Sequence, residues 1–221
     1  MNLWIESNLG ADILDLQWRA RNGLSQLGAI PDPAAKILLE RLGFGIEKNI
    51  TFNEDNRLQA LQSCWFDQEC LRFFEEHPKA LVIELGAGFS TRFHRLSSVL
   101  DWPRFRWLIL DEQKVISKIQ TVFPRIDNFE LKCWRDSNDW LEEWQGESIM
   151  ILVEQKTIKM SVADIKRFCH NLQYQSKKWI SSCHLEVHFF DERFVHLSWL
   201  QKLKHWCLPN RFVACIKLIV E

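Results

Sequence analysis

The sequence predicts an α/β fold: a mainly parallel sheet with helices on both faces and a helical cover ahead of it. Three observations carry this. Residues 1–78 show apolar residues at helical spacing. After Pro78, short apolar runs alternate with longer amphipathic stretches. The first run, 81–85, passes through Gly86-Ala87-Gly88 almost directly into a helical pattern.

The elements follow in order. A first helix is expected over 11–28, where Gly28 ends the pattern. A second opens at Pro31 and Pro33 and stops at Gly43 and Gly45. A third carries Leu58, Leu61, Trp65, Leu71 and Phe74 near helical spacing, with Pro78 just beyond its end. Strands are expected at 81–85, 105–110, 129–133, 149–153, 185–190 and 212–220. Helical stretches fall between them at 91–100, 112–122, 138–144, 161–172 and 193–206. Strict alternation of this kind indicates parallel strands with crossover helices. The expected organisation is one domain over 1–221, with 1–78 as cover and 79–221 as the α/β core.

Composition narrows the function classes. The chain has 221 residues, 47% hydrophobic and 26% charged, as globular proteins do. A net charge of −1 gives no footprint for nucleic acid, which is bound through clustered Lys and Arg. The basic stretch 156–178 reads as a solvated face. No apolar run approaches the roughly 20 residues needed to span a bilayer, and the first residues show no secretory pattern. Seven cysteines, odd in number and without a CxxC pair, indicate reduced thiols and a cytoplasmic location. Oligomeric state has no signal.

Ligands of open α/β sheets bind outside the carboxyl ends of the strands. Glycine there lets a ligand or another backbone approach closely. Glu84 lies at the end of the first strand, Asp111 closes the second and Glu154 the fourth. Three carboxylates at strand ends disfavour phosphates but suit an amino group and ribose hydroxyls. A dinucleotide turn reads G-x-G-x-x-G, and here the third position is Thr91. S-adenosylmethionine, which has an ammonium and a ribose but no phosphate, suits the turn better than NAD does.

The stretch "VIELGAGFSTRFHRL" resembles the signature of the leucine carboxyl methyltransferase family, which includes polyketide O-methyltransferases of the tetracenomycin type and commonly reads LGAGLDTRxxRL. "IPDPAAKILLERLGFG" is similar to that family's early helix with an Asp-Pro start, and "QSCWFDQECLRFFEEHP" to its Arg-Thr-x-x-x-Asp helix. "WLILDEQKVISKIQTVFP", "CWRDSNDWLEEW" and "ILVEQKTIKMSVADIKRF" resemble its second strand and helix, its adenine-side loop and its acidic strand end. The resemblance implies a Rossmann-like class I methyltransferase fold, S-adenosylmethionine as cofactor, and methyl transfer to a carboxylate or hydroxyl of a small molecule. Polyketides and other secondary metabolites are the acceptors it suggests.

By position, the resemblance puts Gly86, Ala87 and Gly88 against the methionine part of the cofactor. It puts Asp111 on the ribose hydroxyls, Trp134 beside the adenine and Glu154 near the amino group, while Glu84 is a cofactor-site candidate by its place at the strand end. Arg92 would anchor a carboxylate or brace the loop. The departures carry an alternative expectation, a degenerate binding or scaffold subunit. The family's Arg for the methionine carboxylate falls on Gln62, its acid beside the adenine on Cys133, and its Leu-Pro on Glu112-Gln113. No general base or other catalytic residue is assigned.

Other constellations point elsewhere. His184, Glu186 and His188 alternate on one strand face, yet no fourth ligand is specified, so no metal is expected. His94 could face the ligand cleft, but such a residue more often is a satisfied surface or packing histidine, and it is left unassigned. There is no G-x-S-x-G elbow.

Overall fold

A computed structural model describes residues 9–21, 30–47, 54–100, 104–134, 148–154 and 185–190, without the side chains of 54–61, 154 and 185–190. Five strands form one sheet: β1 (Leu81–Leu85), β2 (Arg106–Asp111), β3 (Phe129–Cys133), β4 (Ile149–Glu154) and β5 (Leu185–Phe190), in the order β3-β2-β1-β4-β5. Every pairing is parallel. This is the Rossmann-like arrangement, in which the order reverses beside β1. The near-continuous apolar runs have their reason here, because β1 is buried on both faces along its length.

Five helices accompany the sheet: α1 (Leu9–Ala20), α2 (Pro33–Arg41), α3 (Glu54–Glu76), α4 (Arg92–Val99) and α5 (Gln113–Val122). α2 starts where the sequence predicts. Pro33 stands at its first turn and Asp32 caps it, accepting from the Ala35 amide at 3.1 Å. α1 ends at Ala20, short of the expected Gly28. The helices expected at 138–144, 161–172 and 193–206 and the strand at 212–220 lie outside the described residues.

One face of the sheet, with Val82, Trp107, Ile109, Met150 and Leu152, packs against Phe66, Cys70 and Phe73 of α3 and Phe93 and Leu96 of α4. Aromatic rings dominate this layer. Phe74 stacks on Phe105 with centroids 4.2 Å apart, and Phe93 on Phe129 at 4.7 Å. The alternate residues Leu81, Ile83, Leu85, Leu108, Leu110, Ile149 and Ile151 are buried as well, so both faces are covered. Each such side chain contributes roughly 1.5–3 kcal/mol by leaving water. A second cluster joins Leu16 and Ala20 of α1, Ala35, Leu38 and Leu39 of α2, Phe89, and Val115, Ile119 and Val122 of α5. This seats α1 and α2 beside the turn that follows β1. Among the described residues, no helix is long and apolar enough to cross a membrane.

Candidate functional site

The turn after β1 has the backbone that its glycines suggest. Gly86 has φ 64° and Gly88 φ 55°, a region where a side chain is strained. The Gly86 amide donates to the Leu110 carbonyl at 2.9 Å. Leu85 pairs with Leu110 and Val153, and Asp111 with Cys133. The next residues, Gly86, Asp111, Cys133 and Glu154, therefore lie level along the carboxyl edge of the sheet. This is where the strand order reverses and where such sheets take ligands.

Asp111 binds this edge together. Its Oδ2 accepts from the Gly88 amide at 2.7 Å and its Oδ1 from the Glu112 amide at 2.6 Å. Its carbonyl accepts from the Trp134 amide at 2.7 Å. One residue thus holds the glycine turn, the start of α5 and the segment after β3. An ionised carboxylate is acceptor-only, with about four lone-pair sites on its two oxygens.

Glu84 is placed differently. Its carboxylate is 1% exposed and lies in the layer below the turn, accepting from Arg92 Nη1, from Ser90 Oγ at 3.0 Å and from Trp107 Nε1 at 3.0 Å. Arg92 Nε donates to Asp67 Oδ1 at 3.0 Å. Of the two uses that the sequence left open for Arg92, these contacts are those of a brace. Ala87 is buried between the two glycines. Trp134 is half-buried, and the Glu154 side chain lies outside the described residues.

This pair belongs to a longer buried chain of charges. Asp67 also accepts from Arg95, through Nε at 3.2 Å and Nη2 at 3.0 Å. Arg95 Nη1 reaches Asp32 at 3.0 Å, Asp32 accepts from Arg19 at 3.0 Å, and Arg19 Nε pairs with Asp15 at 2.8 Å. Arg19 also donates to the Thr91 hydroxyl at 2.6 Å and the Phe89 carbonyl at 2.9 Å. The chain runs through α1, the α2 cap, α3, α4 and β1, and touches the glycine turn on both sides. Thr91 heads α4 but makes no side-chain cap, because its hydroxyl donates to Asp32 at 2.6 Å instead. Burial pushes the Asp32 carboxyl up, but the neighbouring Arg19 and Arg95 outweigh it and hold it at about 2. Burial likewise works against the Arg95 guanidinium, and Asp67 and Asp32 reverse that and raise its pKa.

Sequence reasoning assigned no role to Asp12, whose carboxylate lies against Gly88, or to Arg19, Asp32, Asp67 and Arg95. Asp32, Asp67 and Arg95 lie inside the quoted family stretches, which was the available signal. For Asp12 and Arg19 no local pattern gives one. His94, which the sequence left unassigned, is a packing residue here. It stacks on Phe123 with centroids 4.2 Å apart, neither ring nitrogen has a hydrogen-bond partner among the described residues, and burial lowers its pKa to about 4. Gln62 is buried on α3. Among the described residues no cluster of His, Cys, Asp or Glu could hold a metal. The strand pattern of His184, Glu186 and His188 lies outside the described side chains.

No protein-family model matches the chain. It is distantly homologous to the tetracenomycin polyketide synthesis O-methyltransferase TcmP of Streptomyces glaucescens, with 26% identity over 129 residues, 58% of this chain and 46% of that protein. The chain thus spans about half the length of the curated relative it matches. Among solved structures, human N-acetylserotonin methyltransferase in complex with S-adenosylmethionine aligns over 89% of this chain and 55% of that one, at 16% identity and a TM-score of 0.38. The mitomycin 7-O-methyltransferase MmcR aligns over 88% and 56%, at 14% identity and a TM-score of 0.38.

Proposed function

We propose that this chain binds S-adenosylmethionine at the glycine turn and transfers its methyl group to an oxygen of a small molecule. The observation that carries the reading is the Asp111 carboxylate held at 2.7 Å from the Gly88 amide, on the edge where the strand order reverses. The homology to TcmP supports it. The donor set fits the cofactor. Two glycines at positive φ leave positions 86 and 88 of the turn without Cβ atoms, and the two oxygens of the Asp111 carboxylate match a vicinal diol.

The proposed roles follow from placement. Gly86, Ala87 and Gly88 lie against the amino-acid part, Asp111 accepts from the ribose, and Trp134 and Glu154 complete the pocket toward adenine and amino group. Glu84 and Arg92 act from below, keeping the turn in shape. When bound, the cofactor supplies a methyl already activated on a sulfonium. The protein's task is to hold acceptor and methyl in line and exclude water. A carboxylate acceptor needs no general base. Membership of the leucine carboxyl methyltransferase family, a polyketide or related acceptor, a cytoplasmic location and a single domain with 1–78 as cover belong to the same proposal.

A second reading, a binding subunit without turnover, is favoured by Gln62. It offers a neutral amide where the family has a cation. Calorimetric titration with S-adenosylmethionine, S-adenosylhomocysteine and NAD tests the proposal. Binding of the first two at a single site per chain is expected. Binding of NAD alone, or of none of them, refutes it, and binding without methyl transfer to any acceptor supports the second reading.

A further inference from the structure

Helix α1 lies along the glycine turn and touches it at two places. Arg19 donates to the Phe89 carbonyl and the Thr91 hydroxyl at 2.9 and 2.6 Å. Asp12 sits seven residues earlier, which at about 3.6 residues per turn puts it on the same face of the helix. Its carboxylate lies directly against Gly88: a Cβ built there meets Asp12 Oδ1 at 2.8 Å and Cγ at 2.9 Å. Gly88 in turn donates its amide to Asp111 at 2.7 Å. With covalent bonds of about 1.5 Å linking those two contacts, the carboxylates of Asp12 and Asp111 lie within about 9 Å of each other.

On the side facing α1, Arg19 brings its guanidinium to the Phe89 carbonyl and the Thr91 hydroxyl, while the carboxylates of Asp12 and Asp111 lie against Gly88. The guanidiniums of Arg19, Arg92 and Arg95 are buried and bonded to Asp32, Asp67 and Glu84. Gln62 carries no charge. The turn itself is flanked by two carboxylates. We propose that Asp12 is a ligand-contacting residue that recognises the ammonium of the cofactor's amino-acid part, with Arg19 as the positioning residue that docks α1 for it. This rests on the reading of the site as an S-adenosylmethionine site. An ammonium donates hydrogen bonds to a carboxylate, whereas a sulfonium has no proton to donate, so the ammonium is the partner. Where the family grips the carboxylate of that part with an arginine, this chain grips its amine with Asp12.

The test is calorimetry on the full chain with three probes: S-adenosylmethionine, S-adenosylhomocysteine, and 5′-methylthioadenosine, which lacks the amino-acid part. Asp12→Asn keeps shape and removes charge. It is expected to weaken the first two by at least about 10-fold, the loss of a charged hydrogen bond, and methylthioadenosine by less than about 2-fold. Asp12→Ala is expected to follow the same pattern. Unchanged affinity overturns the inference, as does equal weakening of all three probes. Tighter binding in either variant also overturns it, and marks Asp12 as an obstruction over the turn. If the wild-type chain binds none of the probes, the cofactor reading falls and the inference with it. If wild type binds and the Asn variant is indifferent, only the inference falls.

Discussion

Replacing Arg95 by Met and Asp67 by Asn, one at a time, cuts the buried charge chain at neighbouring links with unequal consequences. The chain holds four carboxylates (Asp15, Asp32, Asp67, Glu84) and three guanidiniums (Arg19, Arg92, Arg95). Arg95 is 2% exposed and makes three bonds to Asp67 and Asp32, at 3.0 to 3.2 Å. Arg95→Met keeps much of the apolar stem and leaves four carboxylates to two guanidiniums. Asp67→Asn keeps the shape and leaves three to three. Removing one partner of a buried pair costs about 3–5 kcal/mol. The upper end, about 5 kcal/mol, belongs to Arg95→Met, which takes one of two cation partners from each of two acids and worsens the imbalance, and the lower end, about 3 kcal/mol, to Asp67→Asn. Against the roughly 5–15 kcal/mol that holds a folded domain together, both are large. Urea unfolding with linear extrapolation measures them. Losses of about 1 kcal/mol or less, the scale of exposed pairs, would show that the chain is not a buried ion network. A larger loss for Asp67→Asn than for Arg95→Met would refute the charge argument.

His94→Phe is expected to flatten the stability–pH profile between about 6.5 and 4. The folded pKa of about 4 lies below the ordinary 6.5, so that contribution is complete above 6.5 and lost as acid charges the ring. An unchanged slope in the variant refutes it. The Asp32 contribution, with its pKa lowered from 3.8 to about 2, is lost only as pH falls through that lower range, and urea midpoints below pH 4 should show it in both proteins. Gly88→Ala places a side chain at φ 55°, at a cost of about 1–2 kcal/mol. It also pushes on Asp12, so Asp12→Ala should relieve part of the loss and not all of it, as read by urea unfolding. Full relief, or none, would be the wrong result. Gln62→Arg should tighten S-adenosylmethionine by about 10-fold if a charge-assisted bond to the carboxylate is restored. No change in the titration would mean that Gln62 does not face that group.

The sheet was legible because central parallel strands buried on both faces are largely apolar, as at 81–85, 106–111 and 149–153, and because 129–133 and 185–190 continue the alternation of short runs with amphipathic stretches. The ends of β2 and β4 each extend one residue beyond the expected span, to Asp111 and Glu154, because backbone pairing continues past the last apolar side chain. The glycine turn was legible for a local reason also: two positive φ angles two residues apart favour glycine at both.

By itself, then, the sequence determined the α/β class, the position of the turn and the acid that closes β2, since each depends on the burial or backbone conformation of a short segment. What those groups touch was decided only by the tertiary structure. Arg19 meets Thr91 across 72 residues and Arg92 meets Asp67 across 25. Glu84 looked like a ligand-facing acid beside Asp111, and folding turned it into the layer below, onto Arg92 and Trp107. A charge's partner depends on which helices pack together, and the spacing of residues along a helix or strand does not encode that. The same holds for Asp12, an ordinary acid in the first turn of α1, which only the docking of that helix brings against Gly88.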